Sequence, residues 1–366
     1  MSPAVSGRAW GLYALMAVLW GIPYLFIKEA VDSISPAAIV AGRTLLGAAV
    51  LLPIALHRGA LRRALRVWPW VLAFGAVEMA GPFLLLGHAE QTLPSGLTGL
   101  LVATVPLFAA GIALARGDRS VLSPARAVGL LVGFAGVVVI VAGPGLAVAE
   151  PAQALGAIGQ VLLVALLYAI APFIIATKLA HVPSLGTITL ALLAVGIAYL
   201  PFALLTQHEM PTLRSGLSLI ALGILCTALA FLGFFALIGE VGPVRAPLFT
   251  YVNPIVAILL GVVLLGEALS TGLLVGFPLV IVGCWLAATG GRLRPRRPAD
   301  GELPPIAAAS RDVSDVALTM SAMLTLAATI TRPARAAVAP TMATLKSCHC
   351  SIAAARARSV GVMVGG

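Results

Sequence analysis

Charge is what this chain lacks most. Asp, Glu, Lys and Arg make up only 10% of its 366 residues, too few to solvate the surface of a water-soluble domain. The shortage is uneven, with 23 Lys and Arg against 13 Asp and Glu and a net charge of +10. Such a balance would suit nucleic acid, but the basic residues sit in short loops between apolar runs. Membrane topology explains that distribution, and no nucleic-acid partner is expected. Cysteine is scarce too. Cys226 and Cys284 lie inside apolar runs, Cys348 and Cys350 close together in the tail, so no disulfide framework follows. Cys348-His349-Cys350 offers too few ligands for structural zinc. A Walker-type phosphate loop is missing, which argues against ATP-driven pumping. The apolar runs hold no cluster of His, Cys or Asp of the kind an intramembrane enzyme would need. No catalytic residue, metal site or cofactor is expected.

Apolar length is what the chain has. Hydrophobic residues make up 60% and mean hydropathy is +1.08. Ten runs stand out: Trp10–Ala30, Pro36–Leu56, Trp68–Leu86, Ser95–Ala115, Ala125–Ala142, Gly156–Leu179, Leu185–Leu205, Gly216–Ile238, Ala246–Leu265 and Gly272–Gly290. About 20 apolar residues cross a bilayer as a helix. The runs are continuous rather than alternating, which argues for helices and against a β-barrel. Short loops make consecutive helices antiparallel neighbours. Only Arg8 precedes the first run, which is too long for a cleaved leader and reads as an uncleaved signal anchor.

Orientation follows from the positive residues. Fourteen fall on one side: Arg8, Arg58, Arg62, Arg63, Arg66, Arg116, Arg119, Arg126, Lys178, Arg245, Arg292, Arg294, Arg296 and Arg297. Only Lys28 and Arg214 fall on the other. Both termini are therefore expected in the cytoplasm, which requires an even number of spans.

The chain also repeats itself. Shifted by 148 positions, Trp20 falls on Tyr168, Leu52-Pro53 on Leu200-Pro201, Gly75 on Gly223 and Pro106 on Pro254. The six residues Gly129 to Phe134 recur as Gly272 to Phe277. Each half has five spans, an odd number, so the halves enter the membrane from opposite sides. The predicted fold is an all-α membrane protein of ten transmembrane helices in two inverted five-helix repeats. The predicted division is residues 1–9 as a cytoplasmic lead, 10–145 and 156–290 as the repeats, and 291–366 as a cytoplasmic, disordered tail. Inverted repeats recur in secondary transporters, where they permit one conformation open to each side.

Several residues extend the pattern. The first helix carries Trp20-Gly21 followed by Lys28, and the second Ala41-Gly42-Arg43. The fourth and ninth carry Pro106-Leu107-Phe108-Ala109-Ala110 and Pro254-Ile255-Val256-Ala257-Ile258; after the ninth come Leu265-Gly266-Glu267 and a Gly-rich last helix. Over residues 10–290 the chain resembles the EamA-type permeases of the drug/metabolite transporter superfamily. The resemblance implies an inner-membrane carrier of small metabolites, often an exporter, without fixing the substrate. The first half departs from it where Arg116-Gly117-Asp118 stands in place of Gly-Glu.

Candidate site residues are those whose repeat partner is apolar or chemically different. Arg43 falls opposite Ala191, Glu78 opposite Cys226, Lys28 opposite Ala176 and Asn253 opposite Val105. A charge at bilayer depth costs at least about 2.5–3.5 kcal/mol, so Arg43 and Glu78 should face the bundle interior. Their depths differ by roughly 4–5 Å at 1.5 Å per residue, within reach of an ion pair or a shared watery cavity. Two readings stand side by side. Either Glu78 takes a coupling proton or cation and Arg43 an anionic substrate group, or the two form a fixed pair tying helices together. Lys28 either snorkels to the interface or serves the site. Trp20, Tyr24, Tyr168 and Tyr251 are candidates for an aromatic cavity wall, whereas Trp10, Trp68 and Trp70 suit interfacial belts. Asn253-Pro254 marks either a broken helix that contacts substrate or a packing kink. Gly129-xxx-Gly133 and Gly272-xxx-Gly276 permit close helix approach, within the monomer or across a homodimer. Glu267 is expected at the interface, at the start of the last helix. His57, His88, His181 and His208 fall in loops or at helix ends. The leading expectation is a carrier of a small molecule in the lipid bilayer; the rivals are a non-transporting receptor or scaffold and an intramembrane enzyme.

Overall fold

The computed structural model describes residues 6–118, 123–142, 151–242 and 246–289. The tail expected from residue 291, with Cys348-His349-Cys350, lies outside them. Ten helices are long and apolar enough to cross a membrane, and no strand occurs among the described residues. They are α1 (Gly7–Ala30), α2 (Pro36–His57), α3 (Trp68–Ala89), α4 (Ser95–Ala115), α5 (Pro124–Val141), α6 (Ala152–Leu179), α7 (Ser184–Thr206), α8 (Leu213–Val241), α9 (Ala246–Leu265) and α10 (Thr271–Thr289). Leu131, Phe134, Leu204 and Leu205 are among the exposed apolar side chains, as lipid-facing positions must be.

α1 and α8 begin three residues earlier than hydropathy predicts. Their first turns are polar and are held by caps, not by apolar content. Ser6 Oγ accepts from Ala9 N at 3.1 Å, and Thr212 Oγ1 from Ser215 N at 3.2 Å.

Several spans are interrupted near mid-depth. α1 pauses at Ile22 and restarts at Pro23. α4 breaks between Val102 and Val105, with Pro106 in the first turn of its second part. α9 starts as a 3-10 turn over Ala246–Tyr251 and becomes α-helical at Asn253, with Pro254 in the first turn. Proline has no N–H to donate, so a helix restarts there without loss. π-helical turns occupy Ala76–Ala80 of α3 and Ile224–Leu229 of α8, starting 148 positions apart as the internal repeat would have it. The freed carbonyls find partners: Tyr199 Oη donates to Ala80 O at 3.1 Å, and Cys284 Sγ to Ala103 O at 3.2 Å.

The two halves interlock. A Cβ added at Gly75 of α3 would stand 3.2 Å from Ala191 Cβ of α7, and one at Gly223 of α8 would stand 2.5 Å from Leu46 Cβ of α2. The paired glycines thus seat α7 and α2 in corresponding ways, each against a helix of the other half. α5 and α10 pack along a second glycine seam. A Cβ at Gly129 would collide with the Ala287 backbone, and one at Gly283 with the Gly133 backbone. The glycine patterns are therefore used within the chain.

Candidate functional site

A cavity of about 1360 Å³ lies within the bundle. At its deep end are Ile27, Arg43, Leu86 and Gly99; at the other are Asp118, Ser123, Arg126 and Thr289. The latter lie at the ends of α4, α5 and α10 that share a face with the N-terminus. The cavity therefore reaches the N-terminal, Arg-rich face and stops short of the opposite one. The interruptions described above border it, since Pro23, Pro106 and Pro254 all line its wall.

Seven sequence candidates line this space: Trp20, Tyr24, Arg43, Glu78, Tyr168, Tyr251 and Asn253. Trp20 is the hub of an aromatic cluster, with ring centroids 5.7, 5.1 and 5.3 Å from Phe231, Phe234 and Phe249. With its nitrogen turned toward them, the Asn253 amide donates to Phe249 O and Ala17 O, each at 3.2 Å. It thereby satisfies main-chain acceptors beside the break in α9 and ties that break to α1. Glu78 sits in the π turn of α3, half-buried in the wall.

Arg43 and Glu78 share the cavity but form no ion pair with each other. Arg43 is instead held by two residues that the sequence left unremarked. Its Nε donates to Thr227 Oγ1 at 2.9 Å, and its guanidinium carbon lies 3.8 Å from the centre of the Phe83 ring, a cation–π contact. Thr227 in turn donates to Leu222 O, five residues back, at 2.8 Å, the spacing of the π turn that contains it. No π turn is legible in an apolar run, so Thr227 gave no signal. The terminal guanidinium nitrogens have no hydrogen-bond partner among the described residues. They remain available to a planar anion such as a carboxylate. Glu78 likewise has no hydrogen bond or ion pair among the described residues. No group of three His, Cys, Asp or Glu among those residues could hold a metal.

Lys28 neither snorkels nor lines the main cavity. Its Nζ turns inward and donates to Glu90 O at 2.6 Å and Leu93 O at 3.1 Å, tying the end of α1 to the α3–α4 connection. The Glu90 carbonyl ends α3 and that of Leu93 lies in the connection before Pro94, where helical donors do not reach them and the ammonium does. Glu267 caps a helix, but that helix is α4 and not α10: its carboxylate accepts from Ser95 N at 2.6 Å and Gly96 N at 3.1 Å. Arg214 pairs with Glu29, and Ser215 Oγ donates to the Glu29 carbonyl at 2.8 Å. Gln207 accepts from Ser35 N at 2.7 Å and donates to Ser33 O at 2.8 Å. Polar contacts between the two halves thus close the face opposite the N-terminus. His57, His88, His181 and His208 are all exposed, away from the cavity wall.

The sequence profile of the EamA-like transporter family matches residues 8–142 and again 155–289. The uncharacterized inner membrane transporter YedA of Escherichia coli strain K12 is 27% identical over 291 residues, covering 78% of this chain and 92% of YedA. An uncharacterized transporter of Archaeoglobus fulgidus is 27% identical over 292 residues, covering 76% and 98%. A protein of Streptantibioticus cattleyicolor named a probable terminal-alkyne amino-acid exporter is 26% identical over 285 residues, covering 77% and 93%. A solved crystal structure superimposes with a TM-score of 0.55 over 76% of this chain and 96% of its own, at 24% identity, a likeness of fold.

Proposed function

The chain belongs to the EamA-like transporter family, and from that premise we propose that it is a secondary carrier that exports a small organic metabolite by alternating access. It is a multi-pass protein of the cell membrane and a transporter, not an enzyme. The observation that carries the finer reading is the cavity. It reaches the Arg-rich face and ends beneath polar contacts at the opposite face. By the positive-inside rule the Arg-rich face is cytoplasmic, so both termini are inside and the cavity is positioned to load from the cell interior. The two five-helix halves, near residues 10–145 and 156–290, are read as inverted repeats that rock about the cavity.

In this reading Arg43 contacts an anionic group of the substrate, and Glu78 takes a coupling proton or a cationic group. Trp20, Tyr24, Tyr168 and Tyr251 supply apolar faces, and Asn253 holds the broken helix in place. A molecule carrying both a carboxylate and an amine would engage both charges. The name of the Streptantibioticus relative, an amino-acid exporter, points the same way.

The test is flux in proteoliposomes across a panel of amino acids, nucleosides and cationic drugs, with and without a pH gradient. Gradient-dependent flux in the wild type that is lost in Glu78→Gln supports proton coupling through Glu78. Flux that survives the substitution makes Glu78 a wall residue. Absence of flux for every compound favours a receptor or scaffold.

A further inference from the structure

The closed face holds an ionisable group with no task in the carrier reading. Glu90 directly follows α3 and is fully buried. Among the described residues neither of its carboxyl oxygens has a hydrogen-bond partner of ordinary geometry, and the Lys28 ammonium and main chain only partly offset its burial. Lys28 lies beside it, yet donates to the main-chain carbonyls of Glu90 and Leu93 and forms no ion pair with the carboxyl. The other titratable groups whose charge reaches Glu90 are Tyr24 of α1, Arg43 of α2 and Glu267 of the α9–α10 loop. Glu267 is itself engaged by the Ser95 and Gly96 amides. A buried carboxylate without donors is far costlier than a buried carboxylic acid. Burial outweighs the nearby cations and raises the Glu90 carboxyl well above the usual range. The arrangement is one-sided, because the repeat partners of Lys28 and Glu90 are Ala176 and Ile238.

We propose that Glu90 is a proton-binding site in the gate opposite the N-terminal face, protonated when that gate is shut and ionised when it opens. As the halves rock, opening must part Glu267 of the second half from the Ser95 and Gly96 amides of the first, since those bonds cross between the halves beside the connection that carries Glu90. Parting them admits water to the carboxyl, which already has the Lys28 ammonium beside it. The carboxylic acid then gives one proton to water on that face, and closure takes one back. No other bond changes. The sign follows: the closed state binds the extra proton, so acid on that side holds the gate shut and alkali favours opening. The inference rests on the alternating-access reading, but its readout does not need a substrate.

The experiment places a spin-label pair at Gln91 and Ala268, both exposed on that face, in a background whose native cysteines are replaced. Distances are measured by pulsed electron resonance in proteoliposomes at about pH 5 and about pH 9, one on each side of neutrality. The expected result is a short distance in acid and a growing long-distance population in alkali, the open-to-closed ratio changing by up to about tenfold per pH unit. Glu90→Gln is expected to keep the short distance at both pH values, and Glu90→Asp to retain the response. A wild type that does not respond, or a Gln variant that responds like wild type, overturns the proposal. If the Gln variant does not fold, the Asp variant decides, and loss of its response overturns the proposal. Failure of the carrier reading would appear separately, as a pH-responsive gate without flux for any compound.

Discussion

Arg43 and Thr227 stand 184 positions apart and meet through a single bond, Nε to Oγ1 at 2.9 Å, buried between α2 and α8. The first half supplies the charge and the second supplies the hydroxyl that orients it. Thr227→Val removes the acceptor and leaves the Nε–H buried and unpaired. A hydrogen bond to a charged group is worth about 1.5–3 kcal/mol, and a loss of that order is expected. Thermal unfolding in detergent checks it, with Thr227→Ser close to wild type.

The α5–α10 seam predicts a sharp contrast between glycines. Gly283→Ala places a methyl against the Gly133 backbone, whereas a Cβ at Gly111 meets nothing within 4 Å. Overpacking costs about 1–3 kcal/mol, while alanine for glycine in an open helical position gains about 0.5–1 kcal/mol. Comparing the unfolding midpoints of Gly283→Ala and Gly111→Ala tests this. Similar midpoints would mean that the seam tolerates separation.

Lys28→Met keeps the length of the side chain and removes its donors. The carbonyls of Glu90 and Leu93 then lose their partner, and the end of α1 loses its tie to the α3–α4 connection. Hydrogen exchange at the Gln91, Thr92 and Leu93 amides is expected to quicken severalfold. Amides of the α5–α10 seam are expected to be unchanged. Mass spectrometry of the intact chain in detergent reads both.

Trp20→Ala removes a ring that touches three others. Truncating a packed tryptophan costs about 3–5 kcal/mol, and a lowered unfolding midpoint is expected, with most of the loss recovered in Trp20→Phe. Intrinsic fluorescence during thermal unfolding supplies the measurement.

The ten spans were legible because lipid demands long apolar segments, and Trp20, Tyr24, Arg43 and Glu78 were legible because a polar or aromatic residue in such a segment stands out. What failed to show depended on backbone detail. Thr227 was masked by a π turn, which leaves no mark on hydropathy. Glu90 draws no notice in the sequence, because nothing at the end of α3 shows that the fold buries it. Lys28 reads as either a snorkelling or a site residue, since nothing in α1 announces the carbonyls that α3 brings beside it. Glu267 was expected to cap the helix next to it in sequence, yet it caps α4, which is nearer in space. Depth alone put Arg43 and Glu78 within reach of an ion pair or a shared cavity; they share the cavity without pairing, because depth carries no information on which face of α8 meets α2.

The α5–α10 seam brings main chain against main chain at Gly129, Gly133 and Gly283. Two rods in such contact behave as one spar: neither slides nor rolls on the other without side chains of one striking the spine of the other. Any motion that carries cargo across this protein must swing around that spar. The spar takes one helix from each repeat, so the fixed edge about which the halves rock lies along it.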